Sequence, residues 1–286
     1  MTIHQVIEGR ERDLGGFAVS RVLPASGRQM VGPFIFFDHL GPAQFAPGGG
    51  IDVRPHPHTA LATVTYLFSG ALEHRDSLGN VREIRPGDVN WMTAGHGIVH
   101  SERTPRAARA AGPQIHAIQS WVALPDGQED VIPDFAHHPA ATLPRLDIGN
   151  IALTIIAGRA FGLTSPVATL WPTYYVDAQL PGGAALDVPA EHAEQAAYVV
   201  QGAVVIAGTT VAAGRMALLD SADATLTAIG DSRVMLLGGR RFPTPRYLYW
   251  NFVASTRERI ERAKERWAKQ QFPCVPGETE FIPLPT

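Results

Sequence analysis

The sequence predicts an all-β fold in which one strand-rich module occurs twice and a short helix follows. Apolar residues make up 45% and charged residues 18% of the chain, and 28 Gly and 23 Pro are dispersed rather than gathered in one linker, the profile of a turn-rich β protein. Short apolar or alternating runs, cut by Gly and Pro, recur at sandwich or barrel spacing. Finally, Tyr66-Leu67-Phe68-Ser69-Gly70 is echoed by Tyr198-Val199-Val200-Gln201-Gly202, and Pro86-Gly87-Asp88 by Ala213-Gly214-Arg215. Such self-similarity within 286 residues, a length that suits two domains, is most economically a duplicated module.

The first set of strand signals runs from Val31 to about Trp121 and comprises FIFFDHL, ATVTYLFSG, DVNWM and HAIQSWVALP, with turn clusters such as DSLGN between them. The second comprises NIALTIIAG, TYYVDAQL, AAYVVQGAVVIAG, RMALLDSADATLTAIG and RVMLLGG. Between them the Pro-bounded segment 134–145 reads as a linker. Beyond Arg241 a Pro- and Tyr-rich stretch leads to Ser255-Thr256-Arg257-Glu258, which fits a capping box. The helix it opens is expected over 256–271, with Ile260, Ala263, Trp267 and Ala268 as its buried stripe, followed by an irregular tail. The expected division is therefore 1–134, 135–241 and a C-terminal extension 242–286.

Composition excludes several functions. The net charge is -3 and no run of Lys or Arg could track phosphates, so direct nucleic-acid binding is not expected. Cys274 is the single cysteine, which rules out an intrachain disulfide framework and a thiolate metal cage and suits a reducing compartment. The first residues carry no basic-then-apolar signal, and no apolar stretch approaches bilayer-spanning length. A soluble, cytoplasmic monomer without a membrane partner is the expectation.

Seven of the eleven histidines lie between His39 and His116, and two of them form His56-Pro57-His58. Residues two apart on a strand share a face, and Pro55 and Pro57 favour the extended backbone that puts both imidazoles together. His100-Ser101-Glu102 repeats the step with an imidazole and a carboxylate. Singly, each histidine reads as a loop residue or a hydrogen-bonded core residue. Jointly, two same-face pairs on facing strands make a three-His-one-Glu set suited to a divalent first-row metal such as Fe, Mn, Ni, Co, Cu or Zn. Four protein ligands leave two octahedral positions open, as catalysis needs and a structural zinc does not. A zinc deaminase is excluded because it needs paired cysteines.

The stretches HPHTALATVTYLFSGALEHRDSLGN and IRPGDVNWMTAGHGIVHSE resemble the two sequence blocks of pirins, members of the cupin superfamily. GPFIFFDHLGP upstream, and RYLYWNFVAS and FIPLP downstream, are similar to bacterial members, so the likeness covers nearly the whole chain. The resemblance implies a bicupin: two tandem jelly-roll barrels packed face to face, with one Fe(II) in the N-terminal barrel on His56, His58, His100 and Glu102. Pirins often carry Arg-Gly-Phe-Glu directly after the second histidine. Here Thr59-Ala60-Leu61-Ala62 stands instead, so a carboxylate of the family is replaced by Ala62. His96 reads as a surface-loop residue first and a pocket-rim group second. In the second barrel the positions answering to the ligands are Val188 and Ala190, and near Thr227 and Ile229, so no metal is expected there. His192 and Glu194 read as solvated turn residues.

In similar cupins an open Fe(II) on histidine and carboxylate ligands serves ring opening of a flavonol by dioxygen, and the resemblance implies quercetin 2,3-dioxygenase chemistry with Glu102 as the base for the flavonol proton. A regulator that binds transcription factors or metabolic enzymes in a metal-dependent way is the alternative from a different class. A metal-free sugar isomerase cupin is opposed by the two ligand pairs. Gly48-Gly49-Gly50 reads as a loop, Arg103, Arg106 and Arg109 as a solvated basic loop, and Trp91, Trp121 and Trp171 as core. Asp38-His39 is a candidate brace for the first barrel.

Overall fold

The computed structural model describes residues 3–13, 17–219 and 224–285. Residues 220–223, inside the expected run RMALLDSADATLTAIG, lie outside that description. The protein is mostly β-sheet, forms two cupin barrels and carries one C-terminal helix, Arg257–Ala268. Among the described residues no helix is long and apolar enough to cross a membrane.

Two compact units emerge, and each is discontinuous in sequence. One consists of Asp13–Val19, Leu40–Ala140 and Pro243–Thr286; the other of Met1–Arg12, Ser20–His39 and Ala141–Phe242. The sequence reading cut the chain in line at 134 and 241, whereas Ile3–Glu8 pairs with Arg215–Leu219 and completes the second barrel's sheet. The expected linker is likewise partly strand, since Asp134–His138 pairs antiparallel with Val89–Thr93. Its Phe135 and Ala136 are flanked by the polar Asp134, His137 and His138, a composition that a strand on a sheet edge tolerates.

In the first unit a four-stranded antiparallel sheet runs in the order Asp52–His58, Ile98–Arg103, Leu72–Asp76, Val81–Ile84. A second sheet runs Asp134–His138, Val89–Thr93, Leu61–Gly70, Gln114–Ala123, followed by the part of Phe34–Gln44 that begins at Leu40. One end of this barrel is closed by an apolar cluster of Leu67, Leu72, Ile84, Ile115 and Ala117. Towards the other end the inward positions turn polar, and there the histidines sit.

The second barrel repeats this plan. Its small sheet runs Ala185–Val188, Ala224–Ala228, Ala203–Ile206, Thr209–Ala212, and its interior is filled by Leu186, Val188, Val204, Ile206, Leu226 and their neighbours. The Tyr-to-Gly echo has a backbone cause. Gly70 and Gly202 end equivalent strands at φ of 88° and 78°. A Cβ on Gly70 would stand 2.1 Å from the Gln114 carbonyl oxygen, and one on Gly202 2.6 Å from that of Asp231, so only glycine fits either turn.

Strand register corrects the equivalence drawn from sequence. His100 pairs with His56 and Glu102 with His74, while Val188 pairs with Ala224 and Ile206 with Leu226. The counterparts of His100 and Glu102 are therefore Ala224 and Leu226, not the neighbourhood of Thr227 and Ile229. All of these second-barrel positions are buried and apolar. His100 stands thirteen residues after Gly87 but Ala224 only ten after Gly214, which is why counting onward from the glycine turn overshot.

Glu194 and His192 are also not solvated turn residues. Glu194 opens a strand and accepts from Arg28, the Gly32 amide and Arg241, while His192 stacks on Tyr174 at 4.3 Å. Asp38 and His39 brace the second unit rather than the first: Arg21 holds Asp38 bidentately at 2.9 and 2.8 Å, and His39 Nδ1 lies 2.7 Å from the Tyr198 hydroxyl. The expected basic loop is instead a strand end and a short helix, Arg106–Ala111; Arg103 pairs with Asp52, Glu278 and Glu280 and Arg109 with Asp52, while Arg106 is exposed. Trp91 and Trp121 are buried in strands, but Trp171 precedes its strand, half-buried, and donates to the Arg240 carbonyl.

The C-terminal helix is capped by Thr256, whose hydroxyl accepts from the Arg259 amide, one position later than the box read from sequence. Ser255 is occupied elsewhere, donating its hydroxyl to Glu129. Ile260, Ala263 and Trp267 form the buried stripe as expected, while Ala268 is exposed at the fraying end.

Candidate metal centre

The strand Asp52–His58 is an edge strand of its sheet, and its prolines fit that place because a missing N–H costs no ladder bond on an open side. Its register against Ile98–Arg103 shifts: the step from His100 to Glu102 faces the longer step from His56 to Val53. One extra residue is thus absorbed around Arg54 and Pro55, a bulge that re-aims the following side chains. The tail covers this edge, with the Ile282 amide donating to the Pro55 carbonyl and Thr59 bridging to Phe252.

His56, His58 and His100 converge. They are 7%, 1% and 1% exposed, and their ligand atoms all lie within 4.8 Å of one another. Ring centroids are 4.4 Å apart for His56 and His100 and 5.0 Å for each of the other two pairs. Nε2 of His58 lies 3.1 Å from Nε2 of His100. Two imidazole nitrogens bound at about 2.1 Å to one ion at a right angle would stand about 3.0 Å apart, and at the tetrahedral angle about 3.4 Å. The observed spacing suits a shared cation.

The opposite ring nitrogens fix which atom is free. His56 Nδ1 donates to the Arg54 carbonyl at 2.9 Å, which leaves Nε2 with its lone pair. His100 Nδ1 lies 3.4 Å from His74 Nδ1, again leaving Nε2 for the cluster. His58 Nδ1 is buried without a hydrogen bond of good geometry. Burial lowers the pKa of all three rings, to about 4 for His56, and for His58 and His100 the neighbouring imidazoles push in the same direction. Neutral imidazoles in a dry pocket are the form that binds a metal.

Glu102 occupies the same inward face but stands outside the mutually close group. Thr65 Oγ1 lies 3.2 Å from one of its carboxylate oxygens and 2.8 Å from Gln119 Oε1. Burial raises the Glu102 pKa, against the opposing influence of His74 and Thr65. Ala62 lies on the far face of its strand from Thr63 and Thr65, so the family carboxylate it replaces would not share their inward face. His96 is exposed and borders a separate cleft of about 100 Å³ with Thr59, Asp130 and Arg266.

Three features went unread in the sequence. Trp121 packs edge-on against His58 at 5.0 Å. His74 and Asp76 are 4% and 0% exposed and joined at 3.0 Å. Asp76 is desolvated, yet its bonds to His74 and Asn80 prevail and hold its pKa below the ordinary value, so it is a carboxylate. His74-Arg75-Asp76 is a third two-residue step in the same module, but its spacing alone does not tie it to His100.

Comparison with known proteins agrees with this geometry. Residues 16–122 match the family described as Pirin, and residues 175–273 that described as Pirin C-terminal cupin domain. A pirin-like protein of Caulobacter vibrioides is 45% identical over 99% of both chains. The chain belongs to the pirin family. Among solved structures of similar fold, a quercetin 2,3-dioxygenase from Acinetobacter baumannii superimposes with a TM-score of 0.92, is 35% identical, and is matched over 99% of this pirin and 95% of its own length. A second structure of that name from the same organism gives a TM-score of 0.88 at 27% identity, over 95% and 98%.

Proposed function

We propose that this pirin is a metal-dependent dioxygenase of quercetin 2,3-dioxygenase type, holding one ferrous ion on His56, His58 and His100 with Glu102 as fourth ligand and base. The observation that carries the reading is the convergence of three neutral, buried Nε2 atoms in one barrel while the equivalent positions of the other barrel are apolar. The metal would supply Lewis acidity towards the adjacent oxygens of a flavonol and a site where dioxygen and substrate meet.

The chain's own residues define the rest. Three imidazoles keep the ion in place if the carboxylate leaves it. Glu102, once off the ion, then takes the proton of the flavonol hydroxyl, and the upward push that burial gives its pKa in the metal-free barrel suits a base. Thr65 can follow that change by turning its single hydroxyl proton between Glu102 and Gln119. Trp121 walls the site beside His58 and limits water there. Both atoms of dioxygen enter the product, one ring carbon departs as carbon monoxide, and the proton returns to the ring-opened ester, so no external reductant is needed.

Anaerobic mixing of quercetin with iron-loaded protein should shift the flavonol absorption band as the hydroxyl ionises. Admitting oxygen should then release one carbon monoxide per flavonol consumed. Absence of turnover with iron, manganese, nickel, cobalt and copper alike would overturn the reading.

A further inference from the structure

Beyond the ligands, a polar chain runs away from His100 into the barrel wall. Asp76 sits at its far end, wholly buried, with its carboxylate held by the Leu78 amide at 2.9 Å, the Asn80 amide at 3.0 Å and the Asn80 side chain. His74 Nε2 stands 3.0 Å from the other carboxylate oxygen, and His74 Nδ1 stands 3.4 Å from His100 Nδ1. Phe135 stacks on the His74 ring at 4.3 Å and 10°, which prevents the ring from turning.

We propose that Asp76 and His74 form a buried relay that positions the proton of His100 on Nδ1, and so keeps its Nε2 permanently available to the metal. The directions follow from what each atom can do. A carboxylate only accepts, so His74 carries a proton on Nε2, and in the relay its Nδ1 is the acceptor. That acceptor faces His100 Nδ1 at 3.4 Å, which is therefore the donor. Neighbours that lock a ligand's tautomer also raise its basicity, and their loss typically costs about 10- to 100-fold in metal affinity.

The second barrel supplies an independent argument. Its counterpart of His74 is Ile206, paired with Leu226 as His74 is paired with Glu102. The fold is built there without a buried histidine at this position. Burying a polar pair costs free energy that an aliphatic side chain would not, so the relay is not explained by stability.

This inference rests on the three-histidine metal reading, and the test separates the two. Asp76→Asn preserves shape and the acceptor oxygen for the Leu78 and Asn80 amides, but presents an N–H to His74 and reverses every donor along the chain. Nitrogen-15 NMR of the metal-free full-length protein should show His100 protonated on Nδ1 in the wild type and on Nε2 in Asp76→Asn. Titration with Co(II) against a chelator should give a dissociation constant about 10- to 100-fold weaker in Asp76→Asn, and similarly in His74→Phe, which keeps the stacking on Phe135 but has no acceptor. A wild-type His100 protonated on Nε2 overturns the relay whatever the metal does. So does Co(II) affinity in both folded variants within twofold of a wild type that binds it. A wild type that binds no Co(II) overturns the metal reading itself.

Discussion

His58 and His100 present Nε2 to Nε2 at 3.1 Å in a pocket from which water is nearly excluded, an arrangement that is favourable only with a proton or a cation between them. Removing one ring therefore should not relieve strain but abolish a ligand. His56→Ala and His100→Ala are each expected to lower both the metal content of purified protein and its melting temperature; unchanged stoichiometry in both variants contradicts the assignment. Glu102→Gln separates the base from the ligands. It should lower kcat by about 100-fold or more, since general bases contribute about that much, while retaining more metal than His100→Ala because three imidazoles persist. Equal metal loss in the two variants would make Glu102 a ligand without a separate proton role. The ligands were readable because a strand repeats every two residues, so His-x-His and His-x-Glu announce a shared face. His74-x-Asp76 has the same spacing but was unreadable as part of the site, because what joins it to His100 is cross-strand register, which no single strand displays. Trp121 was read as core, and it is buried; only the approach of His58 from another strand makes it a wall of the site.

At the scale of elements, the turn glycines explain why two segments of otherwise different sequence echo each other. Gly70→Ala must place a methyl 2.1 Å from a carbonyl oxygen in a left-handed backbone conformation, at an expected cost of about 1–3 kcal/mol or more. Urea unfolding of metal-free Gly70→Ala should reveal the loss, and a midpoint equal to that of the wild type would show that the strand end can shift to accommodate it. Thr256→Ala, by contrast, removes one cap from a short helix and is expected to cost about 1 kcal/mol. Ser255→Ala should cost more than a solvated serine would, because its hydroxyl and amide both bond Glu129. The strands themselves were legible from alternation and turn chemistry, as the runs at 62–70 and 173–180 show by falling within observed strands. The segment 134–145 was not, because a polar edge strand and a linker share a composition. The cap was misplaced by one residue because Ser255 and Thr256 are chemically equivalent candidates, and only the demand of Glu129 for Ser255 decides between them.

For the whole molecule, the two barrels answer acid differently. The second is filled with aliphatic side chains, whereas the first must keep three imidazoles neutral. In the unfolded chain these rings protonate near pH 6.5; in the folded barrel His56 does so only near 4 and the other two lie well below 6.5. Between those limits the unfolded state binds more protons, so stability rises with pH through the window and is lost as pH falls from 6.5 towards 4. His56 alone accounts for about 3 kcal/mol across that range, at 1.36 kcal/mol per pH unit. Glu102 and Asp38 act in the opposite sense, since burial raises both, but they stand against three rings and belong to different units. The urea midpoint of metal-free protein should therefore fall steeply between pH 7 and 5, and amide exchange should place the loss in Ile98–Arg103 before Ser232–Gly239. Added ferrous or cobaltous ion should raise the midpoint at pH 7 and progressively less at pH 5, because ion and proton compete for the same Nε2 atoms. If midpoints at the two pH values coincide, the imidazoles are not held neutral by burial, and the electrostatic basis for a preformed cation site is gone.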